Sequence, residues 1–332
     1  MAASGLMRSV WESITHLLRE SKHPAAYPAA VDAPLLGNAE IAEILHHMQR
    51  ARRLAKFSKD VRQRHAGDFR SAYLGRGLDY EESRPYQRGD DVRAMDWRTT
   101  ARTGKPYVKI YREEHQPGLH VVVDRNAGMR FGTRRQLKAA QAVRVAAMFA
   151  FAAATSNTCI GGTLWQPGGY SLRCRNGFEG AMQLVEAANA PCPPLDQGAT
   201  APCFSTLLQR LEALLPRGSR VLLISDFTSL REGDLAALLS LAARHELVAV
   251  QILDAVEQAL PNVGLMHFQD GATGQARWID TASRDVRETY ANGAQTLQQM
   301  QTTLLRRAGV QLHCCATDED PFELLLGVAI HG

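Results

Sequence analysis

The sequence lacks the features that mark several classes of protein. Its 332 residues contain no run of about 18 apolar residues, so no membrane-spanning segment is expected. Residues 1–22 mix acidic and basic side chains and have no apolar run of signal-peptide length. The six cysteines form no C-x-x-C pair, and no histidines stand at zinc-finger spacing from them. We therefore expect six reduced thiols in a cytoplasmic protein.

The composition is that of a globular protein, with 45% hydrophobic and 22% charged residues. The length allows about two domains, or one large domain with an appendage. Charge is unevenly spread, because residues 46–76 hold nine Lys or Arg against two Asp, a net +7 in a chain whose total is +4. This basic segment makes nucleic-acid binding one alternative function. Phe57 is the only aromatic residue between positions 46 and 64, which argues against stacking on single-stranded bases.

The chain is predicted to have three segments. Residues 1–37 form an N-terminal helix and a flexible linker, and residues 38–118 form a basic helix followed by a charged β and loop segment. Residues 119–332 alternate apolar strands with amphipathic helices. Strands that are apolar on both faces are typical of a parallel sheet covered by helices on both sides. The order of elements therefore predicts a doubly wound, mostly parallel α/β sheet, with a hairpin around residues 161–174.

Two aspartates follow two of the predicted buried strands. Asp124 comes after strand 119–123, and Asp226 comes after strand 221–224. Ligands of doubly wound sheets bind at the carboxyl ends of the strands, so both carboxylates face one crevice if the strands are neighbours. Such oxygen ligands suit a hard cation such as Mg²⁺. The alternative is that each aspartate only caps the turn or helix that follows it.

Two resemblances cover about residues 40–330. Residues 119–318 resemble a von Willebrand factor A-type domain, through the hairpin and through the strand that ends in Ser225 and Asp226. The preceding stretch contains GRGLDY at 75–80, RPY at 84–86, GDDVR at 89–93 and DWRTTARTG at 96–104. These motifs are similar to the signature of the bacterial "domain of unknown function 58" family. The A-type resemblance implies a Rossmann-type α/β fold. The family resemblance implies a cytoplasmic-facing accessory protein, association with a MoxR-type AAA+ ATPase and no established enzymatic activity.

The A-type resemblance also implies a metal-ion-dependent adhesion site, from which this chain departs. That site uses D-x-S-x-S after the first strand, a Thr before a middle helix and a later Asp. Gly128 replaces one Ser without offering a ligand, and Arg125 adds a positive charge, although its side chain can point elsewhere. Both changes weaken the binding of Mg²⁺, which is the candidate cofactor. The degenerate site consists of Asp124, Asn126, either Ser205 or Thr206, and Asp226.

The mixed charges of residues 76–104 predict a rigid, ion-paired segment rather than a linker. In the preferred interpretation, its arginines pair with its aspartates and clamp the segment onto the A-type domain. A partner-binding surface is the alternative. Catalysis is not indicated, because no Ser/His/Asp or Cys/His arrangement stands out. The residues of this clamp or surface are Arg76, Asp79, Arg84, Asp90, Asp91, Arg93, Asp96, Trp97 and Arg98.

The function predicted from these patterns is that of a non-enzymatic adaptor. It binds protein partners, with the AAA+ ATPase as the favoured one, in the maturation of protein complexes. One alternative is a divalent-metal-dependent hydrolase, in which Asp124 and Asp226 hold a metal that activates water. The other is a nucleic-acid binder that acts through residues 46–76.

Overall fold

The computed structural model divides the chain into two compact units. Residues 53–116 form the smaller unit, and residues 117–332 form the larger unit together with the chain up to residue 52. Helix α1 covers residues 38–49, and the remainder of the predicted basic helix lies outside the described residues, as does the predicted N-terminal helix. The structure describes residues 33–49, 79–87, 91, 95–112, 118–133, 136–192, 202–269 and 276–322.

In the part of it that the structure describes, the smaller unit has two strands and a short helix. Strand β1 (Asp79–Pro85) pairs antiparallel with β2 (Tyr107–Arg112), and helix α2 (Trp97–Thr103) lies between them in sequence. Asp96 caps α2, because its Oδ1 accepts two backbone N–H groups of the first turn at 3.1 Å each. Gly104 ends the helix at φ +71°, a conformation that favours glycine. The helix is therefore specified by its caps, since it buries no residue, whereas β2 buries Val108.

The larger unit is built on a six-stranded sheet. Its strand order is β10-β7-β6-β3-β4-β5, and all neighbours are parallel except β4 and β5. A separate hairpin of β8 and β9 precedes the last long helix. The bounds are β3 (Leu119–Asp124), β4 (Cys159–Trp165), β5 (Ser171–Asn176), β6 (Arg220–Ser225), β7 (Glu246–Leu253), β8 (Leu265–Gln269), β9 (Ala276–Asp280) and β10 (Gln311–Ala316).

Helices cover both faces of the sheet, and a hydrophobic cluster fills each side. One cluster joins α1, α3 and α4 to the sheet, and the other joins α5, α6 and α8 to it. Within the described residues, no helix combines the length and the apolar content needed to cross a membrane. The helices are α3 (Lys138–Ala154), α4 (Gly177–Asn189), α5 (Phe204–Leu214), α6 (Leu235–Ala242), α7 (Ala255–Gln258) and α8 (Arg284–Arg307).

This architecture confirms the predicted fold class, a doubly wound and mostly parallel α/β sheet. The central strands β3 and β6 are almost wholly buried, as their apolar sequences require. From β3 the chain builds the sheet outward to β5 on one side, and from β6 it builds outward to β10 on the other. The order reverses between β3 and β6, which makes their carboxyl ends the position where such sheets hold ligands.

Helix α1 belongs to the larger unit, whereas the division made from the sequence had grouped it with residues up to 118. Ile44 and Met48 of α1 lie in the core formed with α3 and α4. The segment before the helix is fixed as well, because Leu36 N donates to Asn189 Oδ1 at 2.6 Å and Asn189 Nδ2 donates to Leu36 O at 3.0 Å. The apolar face of α1 therefore completes the helical layer of this unit.

The expectation of six reduced thiols is wrong for one pair. Cys159 and Cys174 lie on the antiparallel strands β4 and β5, with Cα atoms 5.5 Å apart, and form a disulfide. This spacing is ordinary for a bonded pair. The four free cysteines are Cys192, Cys203, Cys314 and Cys315.

Candidate functional site

The two predicted strand-end aspartates lie together at the reversal point of the sheet. Strands β3 and β6 are parallel neighbours, and Val123 pairs with Ile224 in their register. Asp124 is the last residue of β3, and Asp226 follows the last residue of β6. The side chains are 3% and 5% exposed, so both carboxylates are buried. The condition on which the predicted crevice depended is therefore met.

Asp124 is held by three hydrogen bonds from its own strand end and the neighbouring one. Its Oδ1 accepts from the backbone N of Asn126 at 2.9 Å and from Asn126 Nδ2 at 2.8 Å. Its Oδ2 accepts from Ser225 Oγ at 2.5 Å. Burial, and then the negative charge of Asp226, raise the pKa of Asp124 to about 7, although these hydrogen bonds act in the opposite direction.

Asp226 carries the opposite shift because a cation contacts it. Its Oδ1 accepts from Thr228 N at 2.9 Å and from Thr228 Oγ1 at 2.8 Å, and its Oδ2 accepts from Lys138 Nζ at 2.8 Å. Burial alone would raise the pKa of Asp226, but the Lys138 ammonium and the Thr228 donors outweigh burial and lower it. Asp226 is therefore the ionised member of the aspartate pair.

Lys138 is the residue that the sequence interpretation missed. It is the first residue of α3 and is 0% exposed, and its Nζ also lies 2.5 Å from Glu257 Oε1. Burial by itself would lower the pKa of Lys138, but Asp226 and Glu257 raise it above its ordinary value. A positive charge in the first turn of a helix opposes the helix dipole, so Lys138 needs these carboxylates. The available signal is a lysine at the start of a helix that is apolar except for Gln141 and Arg144.

A third strand-end aspartate supports the same edge of the sheet. Asp254 follows β7 and is fully buried. Its carboxylate accepts from Thr133 N at 3.0 Å, Thr133 Oγ1 at 2.5 Å and Thr317 Oγ1 at 3.1 Å, which joins three separate loops. Burial acts to raise the pKa of Asp254, but these hydrogen bonds and one from Val256 N outweigh burial and lower it. The loops at this edge are therefore cross-linked by buried carboxylates.

The remaining members of the predicted metal site are only partly brought together. The Asn126 side chain donates to Asp124 through Nδ2. Its Oδ1 is buried without a hydrogen-bond partner among the described residues. A Cβ on Gly128 would lie 2.8 Å from Asp226 Oδ2, so the serine of the A-type motif would fit there only if the Asp226 side chain or the loop shifted. The hydroxyls of Ser205 and Thr206 contact Cys203 Sγ at 2.6 and 3.5 Å. The structure thus joins Asp124, Asn126 and Asp226 but directs the candidate hydroxyls to a thiol.

This set of donors does not fit a divalent cation. The orphaned oxygen of Asn126 would suit one, but the oxygen of Asp226 that would bind it already accepts from an ammonium. Across the described ranges, no group of three or more His, Cys, Asp or Glu side chains is arranged to hold a metal ion. We therefore derive no chemistry that passes through a bound metal.

Arg125 does not contact the strand-end carboxylates, although it adjoins Asp124 in sequence. Its side chain is 1% exposed and extends to the end of α4. There Nη1 donates to Ala187 O at 3.1 Å, and Nη2 donates to Pro191 O at 2.8 Å and to Ala190 O. A guanidinium suits the negative end of a helix dipole. Arg125 therefore ties the β3 loop to α4.

The predicted clamp residues are only partly described. Arg76, Asp90 and Arg93 lie outside the described residues. The carboxylate of Asp96 is buried, and its Oδ2 accepts from Ser83 Oγ at 2.5 Å and from a hydroxyl of α2 at 2.7 Å. The clamp itself, with its other members Asp79, Arg84, Asp91 and Arg98, stays a prediction.

The strand order and the antiparallel edge strand define a doubly wound, mostly parallel α/β domain with buried aspartates at its strand ends. The model of the family described as "Protein of unknown function DUF58" matches residues 82–300 of the sequence. The chain therefore belongs to the DUF58 family.

Curated relatives occur in mycobacteria. Uncharacterized protein Rv1480 of Mycobacterium tuberculosis is 31% identical over 258 residues, which span 76% of this chain and 79% of the relative. Uncharacterized protein Mb1516 of Mycobacterium bovis matches with the same identity and coverage. Neither name states an activity.

The solved structures that resemble this chain are more distant. The conserved hypothetical protein BatB of Bacteroides thetaiotaomicron is 12% identical, with a TM-score of 0.37 over 58% of this chain and 99% of BatB. A von Willebrand factor type A protein of Catenulispora acidiphila is 14% identical, with a TM-score of 0.29 over 57% of this chain and 44% of that protein. At these scores, neither likeness supports a functional statement.

Proposed function

We propose that this protein is a non-enzymatic adaptor that binds protein partners in the maturation of protein complexes. The favoured partner is a MoxR-type AAA+ ATPase. A cytoplasmic location is part of the proposal and rests on the family resemblance, because the Cys159–Cys174 disulfide removes the argument from reduced thiols. The observation that carries it is that all four carboxylate oxygens of Asp124 and Asp226 accept a hydrogen bond from within the chain. Satisfied buried carboxylates hold the surrounding loops in one conformation. This edge of the sheet is therefore suited to serve as a preformed docking surface.

The metal-dependent hydrolase is the less well supported alternative. Such an enzyme needs carboxylate oxygens that are free to hold a metal, and the metal in turn activates water. Lys138 Nζ lies 2.8 Å from Asp226 Oδ2, and the Asp124 carboxylate, whose pKa is raised to about 7, is partly protonated near neutral pH. Both features weaken a cation site, whereas neither opposes a role in docking.

Trp97 is the residue of the family signature that best suits a partner contact. It begins α2 and is 66% exposed, while the neighbouring Asp96 is buried and holds the start of that helix. An exposed Trp on a fixed backbone supplies a large contact area at little cost in conformational entropy. Arg98 is exposed in the same turn and supplies a charge for an acidic partner. Support for the choice of ATPase comes only from the family resemblance of residues 75–104.

The experiment is a binding measurement with purified proteins. A MoxR-type ATPase from the same organism is immobilised, and the full-length chain is titrated by interferometry with ATP, with ADP and without nucleotide. We expect saturable binding of the wild type and at least about 10-fold weaker binding of Trp97→Ala. Leu239→Ala is the matched control, because Leu239 is 47% exposed but lies on α6 in the larger unit.

The outcomes separate the partner from its contact surface. No binding in any nucleotide state contradicts the adaptor proposal for this partner. Equal affinities of Trp97→Ala and wild type would leave the partner in place and remove Trp97 from the contact surface. A loss of binding in Leu239→Ala alone would assign the contact to the larger unit, which also holds the strand-end docking surface, and not to Trp97.

A further inference from the structure

The strand-end site contains a cation that belongs to the chain. Lys138 Nζ lies 2.8 Å from Asp226 Oδ2 and 2.5 Å from Glu257 Oε1, and its side chain is 0% exposed. We infer that the Lys138 ammonium is the resident cation of this site and takes the place that a divalent metal ion holds in A-type domains. The wild-type protein accordingly needs no metal at this edge of the sheet. This role of Lys138 is independent of the adaptor function.

Charge balance supports this assignment. Asp226 is 5% exposed, and Glu257 is about one-third exposed, so that the pair places negative charge beside a low-dielectric interior. Buried carboxylates require a positive partner, or else they become protonated. Lys138 supplies that charge from a fixed position, because its backbone N donates to Phe131 O at 2.8 Å where α3 begins. Because this ammonium is part of the Lys138 side chain, the cation does not exchange with ions in solution.

The departures from the A-type metal motif agree with an internal ammonium. Gly128 leaves no side chain over Asp226, and a Cβ at this position would approach Oδ2 to 2.8 Å. The hydroxyls of Ser205 and Thr206 contact Cys203 Sγ, whereas Asp226 Oδ1 is satisfied by Thr228. A divalent ion commonly takes six oxygen ligands, whereas an ammonium donates only three hydrogen bonds. The acceptors at this site are closer in number to what an ammonium needs than to what a divalent ion needs.

The test compares two substitutions that both remove the charge. Lys138→Ala opens a space lined by the carboxylates of Asp226 and Glu257, whereas Lys138→Met removes the charge but fills the same space with a side chain of similar length. Each full-length protein is freed of metal with a chelator and titrated with Mn²⁺. Binding is read from the electron paramagnetic resonance signal of free Mn²⁺, and the thermal midpoint Tm is measured in parallel.

We expect the wild type and Lys138→Met to bind no Mn²⁺ at millimolar concentration. Adding Mn²⁺ should not change the Tm of either protein. Lys138→Ala should unfold at a lower temperature without metal and should bind one ion. At a free Mn²⁺ concentration about 100-fold above Kd, its Tm should rise by roughly 5 to 11 °C. The double variant Lys138→Ala and Asp226→Asn should lose this response.

Two results would overturn the inference. One is Mn²⁺ binding by the wild type that Asp226→Asn abolishes, because the metal would then be the resident cation. The other is a folded Lys138→Ala protein whose Tm and Mn²⁺ binding equal those of Lys138→Met. If Lys138→Ala does not fold, the wild-type titration with its Asp226→Asn control decides the question alone, and absence of binding supports the role of Lys138.

Discussion

Ser225 Oγ donates a hydrogen bond of 2.5 Å to Asp124 Oδ2, across the junction of the two central strands. The acceptor belongs to a buried carboxyl group whose pKa is raised to about 7, by burial and by the charge of Asp226. The ordinary pKa of such a group is 3.8, so between these two values the folded chain binds a proton that the unfolded chain releases. Asp124 therefore couples the stability of the fold to pH.

Replacing Asp124 by Asn should remove this coupling. Because the folded pKa is the higher one, the proton stabilises the fold fully below pH 3.8, and this stabilisation is lost as pH rises towards about 7. Relative to Asp124→Asn, the wild type should lose up to about 1.4 kcal/mol of unfolding free energy per pH unit in this window. Urea unfolding at a series of pH values measures the difference. Exposed Asp285→Asn is the control, and a pH-independent difference for Asp124→Asn would contradict the prediction.

His120 should act in the opposite direction. It is buried in β3, its Nε2 lies 2.8 Å from Thr163 Oγ1, and burial lowers its pKa from 6.5 to about 4. Between these two values His120 is protonated in the unfolded chain but neutral in the folded chain. The stability of the fold therefore decreases as pH falls below 6.5. As pH falls through that window, the unfolding free energy of the wild type should drop relative to that of His120→Gln by up to about 1.4 kcal/mol per pH unit. The same urea series tests it, with exposed His47→Gln as the control variant. Equal pH slopes for His120→Gln and the wild type would refute this effect.

The sheet could be predicted from the sequence because its strands carry a strong local signal. Strands β3, β6 and β7 are apolar on both faces, which is typical of a parallel sheet covered by helices on both sides. The carboxyl ends of parallel neighbouring strands lie at the same edge of a sheet. Asp124 and Asp226 therefore come together because β3 and β6 are neighbours.

The remainder depends on contacts that local patterns do not encode. Strand β1 and helix α2 were missed, because their charged residues give no apolar period and a cap at Asp96 specifies the helix. Lys138 and Glu257 are 119 positions apart, so only the folded chain brings their charges together. The reach of Arg125 to the end of α4 spans more than 60 positions for the same reason. Charge placement at the site is thus a tertiary property, whereas strand placement is largely local.

Arg125→Met should lower the unfolding free energy of the larger unit more than the same Arg→Met change at an exposed arginine. The guanidinium is buried and satisfies the carbonyls of Ala187 and Pro191 at the end of α4. Removing it leaves these acceptors unpaired, at a cost of about 3 kcal/mol in unfolding free energy. Urea unfolding at neutral pH provides the measurement.

Arg175→Met is the control for this prediction, because Arg175 pairs with Glu179 at the other end of α4. Its side chain is 51% exposed, so its loss should cost less than about 1 kcal/mol. Equal losses in the two variants would show that Arg125 contributes no more than a surface ion pair.

Cys203 should be the first thiol of the chain to react with iodoacetamide near neutral pH. It is exposed at the N-cap of α5, and contacts with the Ser205 and Thr206 hydroxyls lower its pKa to about 7. Burial instead raises the pKa of Cys314, and that of Cys315 to about 11. Because the thiolate is the reacting species, its rate at Cys203 should rise with pH through a midpoint near 7.

Peptide mass spectrometry of briefly alkylated, folded protein measures the rate at each cysteine. The double variant Ser205→Ala and Thr206→Val removes both hydroxyls, so the Cys203 midpoint should move towards the ordinary thiol value of 9.0. Because both side chains lie in the first turn of α5, circular dichroism must show that the helix is retained. Faster labelling of Cys314 than of Cys203, or a wild-type midpoint already at 9.0, would mean that the two hydroxyls do not stabilise the thiolate.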